Sequence, residues 1–204
     1  MRSRIAALTL VIGLFAGTAD AATITFDEFA LNPGGAQAIQ IPNGYQGFTW
    51  SNFWVIDPDA GLAGSGYANG TVSQDNVAYG FDALPASFSS AGTFTFNSVY
   101  MSAAWRDGLT VRILGRLNGG IVFSQSVLVD HTGPNLLVFN WAGINEVYFE
   151  SSGGIETPGL NGDGTHFAID NITVDGTPVP EPGTLLLLGG GLAAAALRLR
   201  KARA

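Results

Sequence analysis

The chain contains few side chains that could carry out acid–base or nucleophilic chemistry. It has two histidines and no cysteine. Asp130 precedes His131, but adjacent residues of a strand point to opposite faces, so the two are not predicted to form a catalytic pair. Glu146 and Glu150 share one strand face at about 13 Å along the strand, which exceeds the carboxylate separation of glycosidases. We therefore predict that the protein is not an enzyme.

Aromatic side chains are a second source of chemistry, because sugar rings stack on exposed aromatic faces next to polar groups. A predicted glycan platform comprises Tyr45, Trp50, Trp54 and Trp105. Trp50 and Trp54 have the same strand parity, so they are predicted to face one side. That side is either a hydrophobic core or a ligand groove, and the pattern does not distinguish the two. Trp105, beside a predicted turn, is expected to be exposed.

Charge limits the partners that the protein can bind. The net charge is −7, and the basic residues between 22 and 175 are three arginines, Arg106, Arg112 and Arg116. An acidic surface repels nucleic acid and attracts cations, so no nucleic-acid partner is predicted. Without cysteine the fold has no disulfide, and its stability is expected to come from core packing.

Alternation of apolar and polar residues predicts strands and no helix between the two ends of the chain. The segment 118–120, Asn-Gly-Gly, predicts a tight hairpin turn because these residues adopt positive φ at low cost. The glycine-rich segment at 58–80 is predicted as a long ordered loop with short strands, and the segment at 151–164 as a loop. Eight or nine strands of this kind predict an all-β, antiparallel β-sandwich. The predicted strands are 23–29, 48–56, 93–103, 109–117, 121–129, 136–141, 144–150 and 166–174.

The second half of this pattern resembles a jelly roll of the galactose-binding or carbohydrate-binding-module type; an immunoglobulin-like sandwich is the alternative. The resemblance rests on residues 109–111, 118–120, 138–141, 144–149 and 167–174. It implies a structural calcium ion between the first and last strands, bound by Asp27 or Glu28 and by Asp170. Asn171 stands where the family often has a second acid. The alternative is that Asp170 and Asn171 form a turn or bulge hydrogen bond.

Both ends of the chain carry export-related patterns. Residues 1–21 predict a signal peptide: Arg2 and Arg4, an apolar run, then Ala19-Asp20-Ala21, with cleavage after Ala21. A linker and tail are predicted at 176–204, after a body at 22–175. The uncharged stretch 184–197 would form a helix of about 21 Å, marginal for a bilayer core of about 30 Å. The basic residues Arg198, Arg200, Lys201 and Arg203 would keep the end cytoplasmic.

The sequence Val179-Pro180-Glu181-Pro182, followed by an apolar helix and a basic end, resembles the PEP-CTERM protein-sorting tail. The resemblance implies export by a Gram-negative bacterium and transient anchoring in the inner membrane. It also implies cleavage by an exosortase-type sorting enzyme and delivery to the cell surface or an extracellular polysaccharide matrix. We predict a non-catalytic, structural or adhesive body. The alternatives are a glycan-binding module and a secreted polysaccharide hydrolase.

Overall fold

A computed structural model describes residues 21–31, 38–59, 61–160 and 162–175. Most of the predicted signal peptide and the whole predicted tail lie outside these ranges. No helix within them is long and apolar enough to cross a membrane. The described chain forms a four-residue helix, α1 (Gly66–Asn69), and ten strands: β1 (Ala21–Ile24), β2 (Ile39–Gln40), β3 (Thr49–Ser51), β4 (Phe53–Ile56), β5 (Val77–Gly80), β6 (Ala86–Ala103), β7 (Arg106–Leu117), β8 (Gly120–Val129), β9 (Asn135–Glu156) and β10 (Phe167–Asp175).

All strand pairs are antiparallel, and hydrogen bonds join them in the order β2-β4-β5-β10-β6-β9-β7-β8, with β1 on β10 and β3 on β6. The long strand β6 bends back over itself. Phe88 and Phe96 would lie about 26 Å apart in a straight strand, yet their ring centroids are 6.0 Å apart. The register against β9 shifts between Ser89 and Phe94. The bend folds the network into two layers, which confirms the predicted all-β antiparallel sandwich.

The space between the layers is filled mainly by aromatic rings. Phe53 and Phe149 meet edge to face with centroids 5.7 Å apart, and Phe88 and Phe94 stack at 5.8 Å. Such pairs add roughly 0.5–1.5 kcal/mol each to the free energy gained from burial alone. The largest fully buried side chains include Phe26, Phe53, Phe88, Phe96, Phe149 and Phe167.

The predicted strand 48–56 is divided in two at Asn52, whose φ is 56°. This left-handed residue reverses the alternation of faces. Trp50 before it and Phe53 after it are both buried, whereas Trp54 is half-buried and points the other way. The prediction that Trp50 and Trp54 face one side is therefore wrong.

Of the other predicted boundaries, one is confirmed and two differ from the structure. The predicted turn at 118–120 is confirmed: Asn118 and Gly119 have φ of 51° and 82°, and Leu117 pairs with Gly120. The predicted break between 141 and 144 lies inside the single strand β9, which runs into the predicted loop as far as Glu156. The first strand ends at Ile24, before the predicted 29.

Candidate functional site

A cleft of about 280 Å³ lies on the outer face of β4, β5 and β10. On these strands, alternate residues such as Val55 and Ile169 point into the main core. Their neighbours belong to a second, smaller apolar cluster on the opposite face, which includes Tyr67, Tyr79 and Ala168. The cleft is lined by four aromatic rings, those of Tyr67, Tyr79, Phe81 and Trp105, and by three polar side chains, those of Asp82, Asp163 and His166.

The position of Trp105 in the cleft depends on its neighbours. Its ring meets the ring of Tyr67 edge to face, with centroids 5.3 Å apart, and Tyr67 meets Tyr79 at 5.4 Å. The indole also lies against Gly162, where any Cβ atom would clash with the ring. Tyr67 is buried, and burial raises the pKa of its phenol. The indole is thus held rigidly with part of its surface in the cleft.

The polar groups of the cleft are mainly acceptors. The Nδ1 atom of His166 lies 3.2 Å from the carbonyl oxygen of Gly80, so this nitrogen carries the proton. Burial lowers the pKa of His166, and it outweighs the opposing effects of the Gly80 hydrogen bond and of the charges of Asp163 and Asp82. The lowered pKa favours a neutral imidazole. Both carboxylates are exposed at the edge of the cleft. Apolar ring faces bordered by acceptors suit a small ligand with an apolar face and a rim of hydroxyl groups.

The four residues of the predicted glycan platform do not lie together. Trp105 lines the cleft, and Trp54 reaches its border by stacking on Phe81, with centroids 4.5 Å apart. Trp50 is only 4% exposed, and its Nε1 donates to the backbone oxygen of Tyr45. Trp50 lines a separate pocket with residues 40–43, and Tyr45 packs beside it, outside the lining of the Trp105 cleft.

The predicted calcium ligands are held by hydrogen bonds from the protein itself. Asp170 of β10 is fully buried. Its carboxylate accepts hydrogen bonds from the amides of Val72 (2.7 Å), Ser73 (2.9 Å) and Asn171 (2.7 Å) and from the hydroxyl of Ser73 (3.1 Å). Burial raises the pKa of Asp170, although these donors oppose the shift. Asn171, with φ of 48°, lies at a register shift of β10.

Asp27 is hydrogen-bonded to the loop that contains Val72 and Ser73. Its Oδ1 atom accepts from the amides of Asp75 (3.3 Å) and Asn76 (3.4 Å). The buried side-chain amide of Asn76 donates to the carbonyl oxygens of Phe26 (3.1 Å) and Phe29 (2.9 Å). The loop 71–76 therefore joins the turn after β1 to the last strand. We call this set of contacts the 71–76 clamp.

Glu28 takes no part in the 71–76 clamp. Its carboxylate accepts hydrogen bonds from the hydroxyl of Tyr45 (2.6 Å) and from the side-chain amide of Gln46 (3.0 Å).

The groups of the clamp do not fit a calcium ion, which needs six to eight oxygen ligands. Both oxygens of Asp170 accept hydrogen bonds, and the carbonyls of Phe26 and Phe29 accept from Asn76. Within the described ranges no three acidic or histidine side chains are close enough to hold a metal ion. Calcium binding by Asp27, Glu28 and Asp170 stays a prediction from the sequence pattern.

The histidine–aspartate pair of the structure is not the adjacent one. The Nδ1 atom of His131 lies 2.6 Å from Asp107, whereas Asp130 accepts from the amide of Gly108 at 2.7 Å. The hydroxyl of Thr157 is 3.2 Å from both Asp107 and His131 Nδ1. In a catalytic triad the nucleophile faces the other ring nitrogen. The contact instead ties together the segments after β8 and β9.

The glutamates considered for catalysis are paired with arginines. Arg112 bonds Glu150 at 2.8 Å, and Arg116 approaches Glu146 at 3.4 Å while its guanidinium lies 3.9 Å above the ring of Tyr148. Glu146 and Glu150 thus belong to the surface of the sheet rather than to the cleft.

Residues 178–201 match the PEP-CTERM protein-sorting motif. No curated protein matches the chain significantly. A DUF4465 family protein of Bacteroides ovatus is similar in structure, with 8% identity and a TM-score of 0.49, covering 76% of this chain and 98% of that one. One from Bacteroides caccae has 11% identity and a TM-score of 0.46 at the same coverage. TmCBM61, solved with β-1,4-galactotriose, has 12% identity and a TM-score of 0.32, covering 65% and 93%. The chain thus carries a PEP-CTERM protein-sorting motif at residues 178–201.

Proposed function

We propose that the protein is exported by a Gram-negative bacterium, anchored transiently in the inner membrane and cut near its Pro-Glu-Pro sequence by an exosortase-type enzyme. The body then serves a non-catalytic, structural or adhesive role at the cell surface or in an extracellular polysaccharide matrix. The observation that carries this proposal is the sorting motif at residues 178–201. The prolines on both sides of Glu181 favour an extended, accessible segment that a processing enzyme can bind.

The sorting step is tested by replacing Pro180, Glu181 and Pro182 together with alanine. We expect the variant to accumulate as precursor in the inner-membrane fraction. Alanines at 175–177, just before the motif, are the matched control and should leave release unchanged. Mass spectrometry of the exported protein locates both mature ends. Released protein that still carries the basic residues 198–203 would refute the proposal.

The non-catalytic role is supported by the environment of the carboxylates. A glycosidase needs one carboxyl group whose buried surroundings keep it protonated. Asp82 and Asp163, which line the cleft, are both exposed to solvent. We expect no release of reducing ends from exopolysaccharide of the producing bacterium. Hydrolysis that disappears in Asp82→Asn or Asp163→Asn would establish the hydrolase alternative.

Glycan binding is a second candidate function, and the cleft beside Trp105 favours it. The rings of Trp105 and Phe81 offer apolar surface, and Asp82, Asp163 and His166 can accept hydrogen bonds from sugar hydroxyls. Its volume of about 280 Å³ is close to the lower limit for ligand pockets, ~300 Å³.

Affinity electrophoresis in gels that contain the exopolysaccharide tests this candidate. Trp105→Ala is expected to weaken retention roughly 10-fold, which corresponds to about 1.4 kcal/mol. Tyr148→Ala is the matched control, because that ring lies under Arg116 and outside the cleft lining. Equal retention of both variants and the parent protein would remove the cleft as a glycan site.

A further inference from the structure

The strand β8 ends the order of the sheet, and within the described residues it pairs with β7 alone. An edge strand presents unpaired N–H and C=O groups, and proteins usually protect such edges with charges, proline or bulges. The sequence of β8, Gly120–Val129, contains neither a charged residue nor a proline. Its register shift near Val122 leaves 123–129 in regular pairing. No strand of the described part of the chain covers the outer edge, which can therefore accept another strand.

The side chains of this edge are unusually apolar for an exposed position. Leu128 is 70% exposed, Ile121 56% and Val122 51%. Leaving such side chains in water forgoes the free energy of burial, roughly 1.5–3 kcal/mol for a fully buried aliphatic residue. An added strand would cover part of this surface.

The order of residues in β8 is nearly symmetric about Gln125. Ser124 and Ser126 flank it, followed outward by Phe123 and Val127, and then by Val122 and Leu128. An antiparallel pair of two such strands would place serine opposite serine and apolar opposite apolar. We propose that β8 is a self-association edge at which a second copy of this chain adds its own β8, antiparallel and with the two-fold axis at Gln125. This proposal does not depend on the sorting or glycan-binding proposals.

Charge favours this partner and this orientation. The chain has a net charge of −7, so most approaches between two copies are repulsive, but the β8 edges carry no charge. A parallel arrangement would set Asp130 beside Asp130 of the second copy, and like charges directly opposed are destabilising. The antiparallel arrangement about Gln125 sets Asp130 beside Gly120 of the second copy.

Disulfide trapping tests the proposal in the protein that the cell exports. The chain has no native cysteine, so Gln125→Cys introduces a single thiol. Residues directly opposed in an antiparallel pair have Cα atoms about 4.5–5.5 Å apart, within the range for disulfides. We expect a disulfide-linked dimer on a non-reducing gel. Ser152→Cys is the matched control, because this exposed residue of β9 pairs with Thr110 of β7, away from the outer edge of β8, and should stay monomeric.

A second variant separates specific pairing from random collision. Ser124→Lys with Ser126→Lys, combined with Gln125→Cys, would place lysines opposite each other across the two-fold axis. Both serines are exposed, so the fold should be retained and the dimer lost. Equal cross-linking of the Gln125→Cys and Ser152→Cys proteins would overturn the proposal. Cross-linking that survives the two lysines would overturn it as well.

Discussion

Asp170 and Asp107 both connect a strand to a neighbouring loop, one inside the protein and the other at its surface. Asp170 has no exposed area and is surrounded by donors from Val72 and Ser73. The side chain of Asp107 is 48% exposed and meets the ring of His131 at 2.6 Å. The contacts are similar in number, but the first set replaces water completely and the second only in part.

Because of this difference, folding shifts the pKa values of the two aspartates in opposite directions. Burial raises the pKa of Asp170, because an ionised carboxylate loses hydration that its hydrogen bonds only partly replace. The hydrogen bond from His131 lowers the pKa of Asp107, whose charged form stays hydrated. A buried polar contact is therefore expensive to break, whereas an exposed one contributes little.

The largest expected effect is the loss of stability in Asp170→Ala. The amides of Val72 and Ser73 would lose their acceptor inside the protein, and each unsatisfied donor costs roughly 1–3 kcal/mol. We expect the free energy of unfolding to fall by about 3 kcal/mol or more. Asp107→Ala is the matched surface variant and should cost less than about 1 kcal/mol. Urea denaturation gives both values, and equal losses would contradict the comparison.

Asn76→Ala removes the other half of the 71–76 clamp. The carbonyls of Phe26 and Phe29 would lose a buried donor, so we expect a cost of about 2 kcal/mol. Asn145→Ala is the control, since its amide bonds the exposed Asn118 and surface changes stay within about 0.5 kcal/mol. If Asn76→Ala lowers the free energy of unfolding no more than the control does, the 71–76 clamp does not contribute to the stability of the folded core.

The sandwich could be predicted from the sequence because apolar alternation reflects burial of one sheet face. The hairpin at 118–120 could be predicted because Asn and Gly there adopt the positive φ that a two-residue turn requires. The break at Asn52 could not. Its left-handed backbone is stabilised by side-chain bonds to the carbonyls of Phe81 and Pro85, more than 25 residues away. Spacing along the strand carries no signal for such a contact.

The candidate cleft was only partly predictable for the same reason. Trp105 could be selected from its type and its place beside a turn. Asp82 follows β5, whereas Asp163 and His166 lie in the segment before β10, and pairing of β5 with β10 brings the two segments together. Asp170 could be singled out only as a calcium ligand between the first and last strands, and that role stays a prediction. In the structure its carboxylate accepts hydrogen bonds from the loop 71–76. The amides that donate to Asp170 could not be identified, because nearly every residue has a backbone amide and the sequence does not show which of them donate.

A smaller effect is expected in the dependence of stability on pH. Because the folded pKa of Asp170 is raised, the folded state binds more protons, and stability falls as pH rises from 3.8 through the folded pKa. The folded pKa of Asp107 is lowered, so its contribution is present above 3.8 and is lost as pH falls through the folded pKa. Asp170→Asn and Asp107→Asn should change the slope of unfolding free energy against pH in opposite directions. Denaturation at several values between about pH 3 and 7 measures both slopes, and slopes that change in the same direction would contradict the assignment.

The smallest expected effect is that of calcium on the melting temperature. A melting temperature that calcium does not change would support the contrast between Asp170 and Asp107. A ligand at 100 times its dissociation constant stabilises the state that binds it by about 2.7 kcal/mol, a shift of several degrees in melting temperature. In the 71–76 clamp, N–H groups already occupy the oxygens of Asp170, so neither calcium nor EDTA should move the melting temperature. Asp170→Asn is the informative control, because an amide is a poorer calcium ligand than a carboxylate. A calcium-dependent rise that Asp170→Asn abolishes would mean that the loop 71–76 rearranges to admit the ion, and the hydrogen-bonded form would then be only one of two states.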